Sequence, residues 1–297
     1  MRSSEGADRN PSLEGRMHTL ALVNQKGGCG KTTAAVNFAA ALAAKGRRVL
    51  LVDMDPQAHA TMALGWAVGD EPVLLEVLQR ESGVDEAVVS APGGFWLLPA
   101  TGDLAEFEES SARMLNAESV LADVLANCQM EFDEVILDCP PRVDGVLCLN
   151  AIRACDTALL VVETGAFALQ GAVKALEILD DMQLEQDVQF EIRILATLFD
   201  RRTNFARELL TAMHMRFGES MLDSVIRTSV RLREAAAMGV PVQQLDPSCR
   251  ATEDFDALAE EWLVSRDSEL LEAAPELLIE LEDSEPKRGL QLGGPRK

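Results

Sequence analysis

The stretch Lys26-Gly27-Gly28-Cys29-Gly30-Lys31-Thr32-Thr33 decides the fold. It follows a short apolar run, Leu20–Val23, and opens an Ala- and Leu-rich run, Thr33–Ala44, whose composition suits a helix. A glycine-rich turn between a strand and a helix lets backbone N–H groups surround phosphate oxygens. The helix N-terminus adds its positive end. In such a loop Lys26, Gly27, Gly28, Cys29, Gly30, Lys31, Thr32 and Thr33 form the phosphate cradle. Lys31 reaches the β- and γ-phosphates as a point charge, and the Thr32 hydroxyl is placed to ligate Mg²⁺.

Two acidic motifs fit the same site. Val49-Leu50-Leu51-Val52-Asp53-Met54-Asp55-Pro56-Gln57 puts two carboxylates just past a buried strand. Glu134-Val135-Ile136-Leu137-Asp138-Cys139-Pro140-Pro141 does the same on another. In open α/β sheets that edge is where ligands bind, and an Asp there can hold Mg²⁺ through water.

Outward from the loop, apolar runs and helical segments alternate. Strands are expected near Val49–Val52, Phe95–Leu98, Glu134–Leu137, Ala158–Val162, Ile192–Leu198 and Ser224–Ile226. Helices are expected near Pro72–Gln79, Ala117–Cys128, Ala168–Met182 and Asn204–Phe217, with two more late in the chain. Leu169, Val173, Leu176 and Leu179 should form one apolar stripe, and Phe255, Leu258, Ala259 and Trp262 a docking face. Continuous apolar runs mark strands covered on both faces. The expected fold is α/β: a doubly wound, mostly parallel sheet with helices on both faces, as a single domain over 17–265. Residues 1–16 read as a disordered extension and 266–297 as an acidic, mobile tail.

Composition narrows the function classes. The 297 residues are 47% hydrophobic and 26% charged, with 27 Lys plus Arg against 49 Asp plus Glu, a net charge of -22. That argues against general coating of nucleic acid. Residues 201–233 run the other way, with seven Arg and three acids, net +4. No apolar run approaches the roughly 18–20 residues of a membrane span, and the N-terminus lacks a signal-peptide core. Six cysteines without a C-x-x-C pair suit a reduced, cytosolic chain.

Lys26 lies five residues before Lys31, where an ordinary phosphate loop has no requirement. The run Asn24-Gln25-Lys26-Gly27-Gly28-Cys29-Gly30-Lys31-Thr32 resembles the deviant Walker A motif of the ParA/MinD/nitrogenase-iron-protein group. Over roughly residues 18–265 the chain resembles ParA-type partition ATPases of the Soj branch. Leu97-Leu98-Pro99-Ala100-Thr101, Arg202-Thr203-Asn204 and Val225–Leu232 match as well.

The resemblance implies a weak Mg²⁺-dependent ATPase that forms a homodimer on ATP, with Lys26 crossing to the partner's nucleotide. Lys26, Lys31, Asp55 and Asp138 would be its catalytic residues. Asp138 is then the Walker B carboxylate, Asp55 positions or polarises the attacking water, and Thr32, Asp53 and Asp138 serve the metal. The dimer would bind double-stranded DNA non-specifically through Arg202, Arg231 and the neighbouring Arg227. A ParB-like or cargo-adaptor protein would stimulate hydrolysis. The cargo would be a chromosome, a plasmid or a protein cluster, and the setting cytoplasmic and nucleoid-associated.

The chain departs from the family pattern at Arg227-Thr228-Ser229-Val230-Arg231, at Glu234-Ala235-Ala236-Ala237-Met238-Gly239, and at Val161–Leu169, where the family glutamate falls on Gly165 with Glu163 near. Three other classes compete. A nucleotide-switched regulator of a protein partner would leave Arg202 and Arg231 idle. A MinD-like membrane ATPase would need a basic amphipathic C-terminal helix, whereas residues 266–297 hold eight acids and five basic residues. A nitrogenase-like reductase would need a second cluster cysteine besides Cys139.

Overall fold

The computed structural model describes residues 17–67, 69–142 and 144–273. Its strands are β1 (His18–Val23), β2 (Val49–Asp53), β3 (Val89–Ala91), β4 (Phe95–Leu98), β5 (Glu134–Asp138), β6 (Thr157–Glu163), β7 (Glu191–Phe199) and β8 (Met221–Arg227). They form one eight-stranded sheet in the order β3-β4-β2-β5-β1-β6-β7-β8. Every pairing is parallel except β3 with β4, an antiparallel edge. The helices are α1 (Lys31–Ala44), α2 (His59–Ala63), α3 (Leu74–Leu78), α4 (Val84–Ala87), α5 (Ala105–Ser110), α6 (Val120–Ala126), α7 (Val146–Ala154), α8 (Ala168–Gln186), α9 (Asn204–Phe217), α10 (Val230–Ala237), α11 (Val242–Leu245) and α12 (Arg250–Ala273).

The doubly wound, mostly parallel sheet is the one the apolar runs predict. β1, β2 and β5 are buried along their whole length, because helices cover both faces. α1 is buried continuously from Ala34 to Leu42, so its alanines replace an apolar stripe and let it lie close to its neighbours. It ends at Gly46, whose φ of 86° takes the left-handed turn that closes a helix.

Several local expectations change. The deepest face of α8 is Ala168, Ala172, Ala175, Leu179 and Met182, with Leu169, Val173 and Leu176 only half-buried beside it. Small residues take the closest approach, and the predicted stripe flanks it. The helices expected at 72–79 and 117–128 shorten to α3 and to α6 behind a 3₁₀ turn. β3, α2, α4, α5, α7 and the short α11 are additions. α12 continues to Ala273, past the expected boundary at 265.

Residues 16–261 form the main compact unit, and the described end of α12, from Trp262, belongs to a second. Phe255, Leu258 and Ala259 are buried in α12 as expected. The expectations for 1–16 and for 274–297 lie outside the described residues.

Two backbones meet where the turn after α2 faces the turn after α10. Gly65 and Gly239 both have positive φ, and a Cβ on Gly239 would stand 2.8 Å from Gly65 Cα. Neither backbone can yield without moving its helix. Gly239→Ala should therefore cost about 2 kcal/mol in denaturant unfolding. Gly83→Ala, with an ordinary φ of -82° and open space around it, should change stability by less than about 0.5 kcal/mol.

Candidate functional site

β1 is the switch point of the sheet. The chain leaves it through α1 toward β2 on one side, and the later strands β6, β7 and β8 lie on the other. A crevice opens at the carboxyl ends of strands at such a point. The phosphate loop fills it, between β1 and α1. Gly28 and Gly30 take φ of 77° and 94°, values that L side chains resist. Gly30 is the N-cap of α1, which aims the helix N-terminus into the loop. A Cβ on Gly27 or Gly28 would meet nothing within 4 Å, so these positions face open space.

The two loop lysines differ in setting. Lys31 is buried, and its Nζ donates to Asn24 O at 3.2 Å, back across its own loop. Lys26 stands at the rim, 62% exposed, and pairs with Glu163 at the end of β6. Asn24 ties the loop to the same strand, donating from Nδ2 to Val161 O at 2.6 Å. The thiol of Cys29 turns inward, where burial raises its pKa. The Cys29 carbonyl accepts the Thr197 hydroxyl of β7 at 2.6 Å. Asn24 and Thr197 thus tie the loop to β6 and β7, while Glu163 meets only the side chain of the rim lysine. Thr197 carried no sequence signal, whereas Asn24 opens the loop motif and Glu163 is a carboxylate near a displaced family position.

The acids converge as the strand ends predict. Asp53 and Asp138 are register partners on β2 and β5. Asp53 is fully engaged: Oδ2 accepts Thr61 N–H at 2.8 Å and Thr61 Oγ1 at 2.7 Å, and Oδ1 accepts Asp55 N–H at 3.2 Å. It therefore fixes the β2–α2 turn directly. Burial raises its pKa to about 6. Asp138 is different. Both its oxygens are buried with no hydrogen-bond partner in place. Burial first, and then the neighbouring Asp53 charge, raise its pKa to about 8. The Thr32 hydroxyl and the Lys31 charge oppose that rise, without Thr32 completing a hydrogen bond.

An unpartnered buried carboxylate beside a threonine hydroxyl fits a hydrated divalent cation, since Mg²⁺ keeps waters and takes few protein ligands. Among the described residues no cluster of three or more His, Cys, Asp or Glu could hold a metal alone. Waters and phosphate oxygens would have to complete the shell.

Asp55 lies on the wall of a cavity of about 700 Å³ that also takes in Gly28, Lys31, Thr32, Leu198 and Leu232. Its Oδ1 accepts Gln57 N–H at 2.9 Å, which sets the plane of the carboxylate. Ala58 and Leu198, beside this cavity, each hold φ of 52°, a left-handed backbone without glycine.

The arginines form a second group. β7 and β8 are neighbours and parallel, so Arg202 and Arg231 follow strand ends at the same edge as the phosphate loop. Arg202, 85% exposed, grips Asp200 through Nε at 2.9 Å and Nη2 at 2.7 Å, and holds that carboxyl down at about 2. Arg231, 54% exposed, contacts Glu234 at 2.8 Å and Asp246 at 3.3 Å. Arg227, the third arginine expected at DNA, is engaged within the chain. Its Nε donates to Asp254 at 2.7 Å and its Nη2 to Arg250 O at 3.0 Å, so it anchors α12 to β8. All six cysteines are free thiols; Cys29, Cys139, Cys148 and Cys155 are buried, and Cys128 and Cys249 half-buried.

Fold and site together define a P-loop nucleotide-binding α/β protein. A family model described as an AAA domain matches residues 17–192. The chain is 37% identical to the chromosome-partitioning ATPase Soj of Thermus thermophilus over 250 residues, 84% of this chain and 96% of that one. It is 33% identical to the chromosome partitioning protein ParA of Caulobacter vibrioides over 258 residues, 84% and 95% of the two chains. A solved structure described as cobyrinic acid a,c-diamide synthase of Mycobacterium smegmatis, with bound ADP and magnesium, superposes with a TM-score of 0.74. It is 31% identical and covers 85% of this chain and 96% of its own. The chain belongs to the ParA/Soj family of partitioning ATPases.

The raised acids make a stability prediction. A carboxyl with a folded pKa near 8 keeps its proton while the unfolded chain loses one near 4. Native protein then binds more protons, so stability falls as pH rises between about 4 and about 8. Melting curves of the nucleotide-free protein should show that fall, and Asp138→Asn should flatten it. Added Mg²⁺ with nucleotide should recover stability at the upper end in the wild type only.

Proposed function

We propose that this chain is a Mg²⁺-dependent ATPase that dimerises on ATP, binds duplex DNA without sequence preference in that state, and positions a cargo. A ParB-like or cargo-adaptor protein stimulates its slow hydrolysis. The observation that carries the reading is the pair of loop lysines. Lys31 is buried against its own phosphate cradle, and Lys26 stands exposed at the rim, available to a nucleotide held by another copy.

The roles follow from placement. The N–H groups of Gly27 to Thr33 and the N-terminus of α1 hold the phosphates, and Lys31 neutralises the β- and γ-oxygens. Thr32, with Asp138 behind it and Asp53 as support, would hold Mg²⁺, whose charge favours in-line transfer to water. Asp55, its plane fixed by Gln57, orients the attacking water at the cavity wall. Leu198 and Leu232 keep that wall apolar. Arg202 and Arg231, doubled in a dimer, supply the phosphate-backbone contacts, and this sets a strong salt dependence.

A second reading has its own support. Arg202 and Arg231 each already hold carboxylates, as they would in a nucleotide-switched regulator that binds a protein partner and no DNA. One experiment separates the two: binding to random-sequence duplex DNA with ATP and with ADP across a salt series. The DNA reading expects binding with ATP only, and Arg231→Ala should lower the log–log salt slope by roughly 2 per dimer. No binding in either state favours the protein-partner switch.

Two substitutions test the nucleotide site. Lys31→Ala should weaken ATP binding at least about tenfold in calorimetry. Asp55→Ala should keep ATP binding but lower turnover roughly 100-fold and accumulate an ATP dimer. Unchanged turnover would place water activation on another group.

A further inference from the structure

The rim lysine is not free in the single chain. Its Nζ sits on the Glu163 carboxylate, the last residue of β6. Val161 and Glu163 lie two residues apart on that strand, so both address the same loop. Val161 O holds Asn24 and Glu163 holds Lys26. The Lys26 N–H also donates to Asn24 Oδ1 at 2.9 Å, so these contacts form one clamp between the loop entrance and β6. The turn beyond Glu163 is closed by Gly165 N–H on Glu163 O at 2.8 Å, which fixes where the carboxylate starts.

We propose that Glu163 is a positioning residue for Lys26: it holds the lysine on its own subunit and raises the protein concentration at which ATP assembles the dimer. The inference rests on the reading of Lys26 as the residue that serves the other copy's nucleotide. To do so, Lys26 must leave Glu163. The carboxylate is then left without its cation near a polyphosphate, which repels it. Both effects act against assembly, and each dimer opens two such pairs. Lys26 is 62% exposed and Glu163 31%, so the pair is solvent-screened and its strength modest. Exposed pairs correspond to up to about fivefold each in an equilibrium constant. Two pairs therefore shift the dimer constant by roughly twofold to 25-fold. Binding of nucleotide to the single chain should not change, because Lys31 and the glycine loop serve that step.

The test uses the full chain with Mg²⁺ and a non-hydrolysable ATP analogue. Sedimentation velocity reads the monomer–dimer constant, and calorimetry at dilution reads analogue affinity. Glu163→Gln and Glu163→Ala should both lower the dimer dissociation constant roughly twofold to 25-fold, despite their different sizes. Glu163→Asp, which keeps the charge, should stay near the wild type. Analogue affinity of the dilute protein should be unchanged in all of them. The gap between wild type and Glu163→Gln should shrink between about 0.05 and 0.5 M salt, where an exposed pair is screened. A dimer constant unchanged or raised in Glu163→Gln, or Glu163→Asp matching Glu163→Gln, overturns the proposal. A wild type that stays monomeric with the analogue at every concentration overturns the dimer reading itself, and this proposal with it.

Discussion

A carboxyl group in a dry place governs this site. Asp138 lies at the end of β5, sealed from water, with Asp53 beside it on β2 and no donor on either oxygen. Burying an ionised carboxylate costs several kcal/mol unless a cation or hydrogen bonds offset it. The protein does not supply enough of either. Lys31 is the positive charge that acts on it, yet its Nζ is held by Asn24 O, and Thr32 stops short of a hydrogen bond. The unmet need for positive charge makes Asp138 a receptor for a cation, next to a loop whose backbone N–H groups and helix N-terminus suit an anion. Asp53, by contrast, is spent on Thr61 and the Asp55 N–H, so the same burial yields structure on β2 and an open valence on β5.

What the sequence makes legible follows the range of the forces involved. The glycine loop, the strand-end acids and the buried strands are local patterns, and all of them stand where the residues say. The edge strand β3 is three residues long and carries no period of its own. α7 reads as an apolar run, Val146-Leu147-Cys148-Leu149, because one side packs in the core, and its helical identity comes from Gly145 and from Asn150 bonding back to Val146 O. Thr197 and Thr61 are ordinary residues until the sheet brings them to Cys29 O and Asp53. Arg227 shows the converse case. Its place in a basic run suggested a surface role, but the pairing partner, Asp254, lies 27 residues away on α12 and is invisible to any local count of charge.

Charge at the arginine edge is correspondingly less than composition suggests. Net +4 over residues 201–233 counts only that segment, while Asp200, Glu234, Asp246 and Asp254 approach its arginines from outside it. A phosphate that binds Arg202 must compete with a bidentate carboxylate already in place. Such competition lowers affinity per arginine and leaves the number of charges unchanged. A surface of this kind binds a polyanion weakly from one copy. It gains from any assembly that presents two copies together, because the second set of contacts then acts at high effective concentration.

The loop and the arginine edge are physically continuous. Cys29 O is bonded to Thr197 on β7, and the Thr164 hydroxyl of the β6 turn reaches the carbonyls of Thr197 and Leu198 at 3.3 Å each. Leu198 holds a left-handed φ at that point, and two residues later Asp200 carries Arg202. Non-glycine residues hold such a backbone only where surrounding bonds over-determine it. The contacts therefore lead from the loop to the basic surface through a single strand end. The two sites are coupled only if each favours a different arrangement of this segment, and reciprocity then requires that a polyanion at Arg202 alter nucleotide affinity by the same factor.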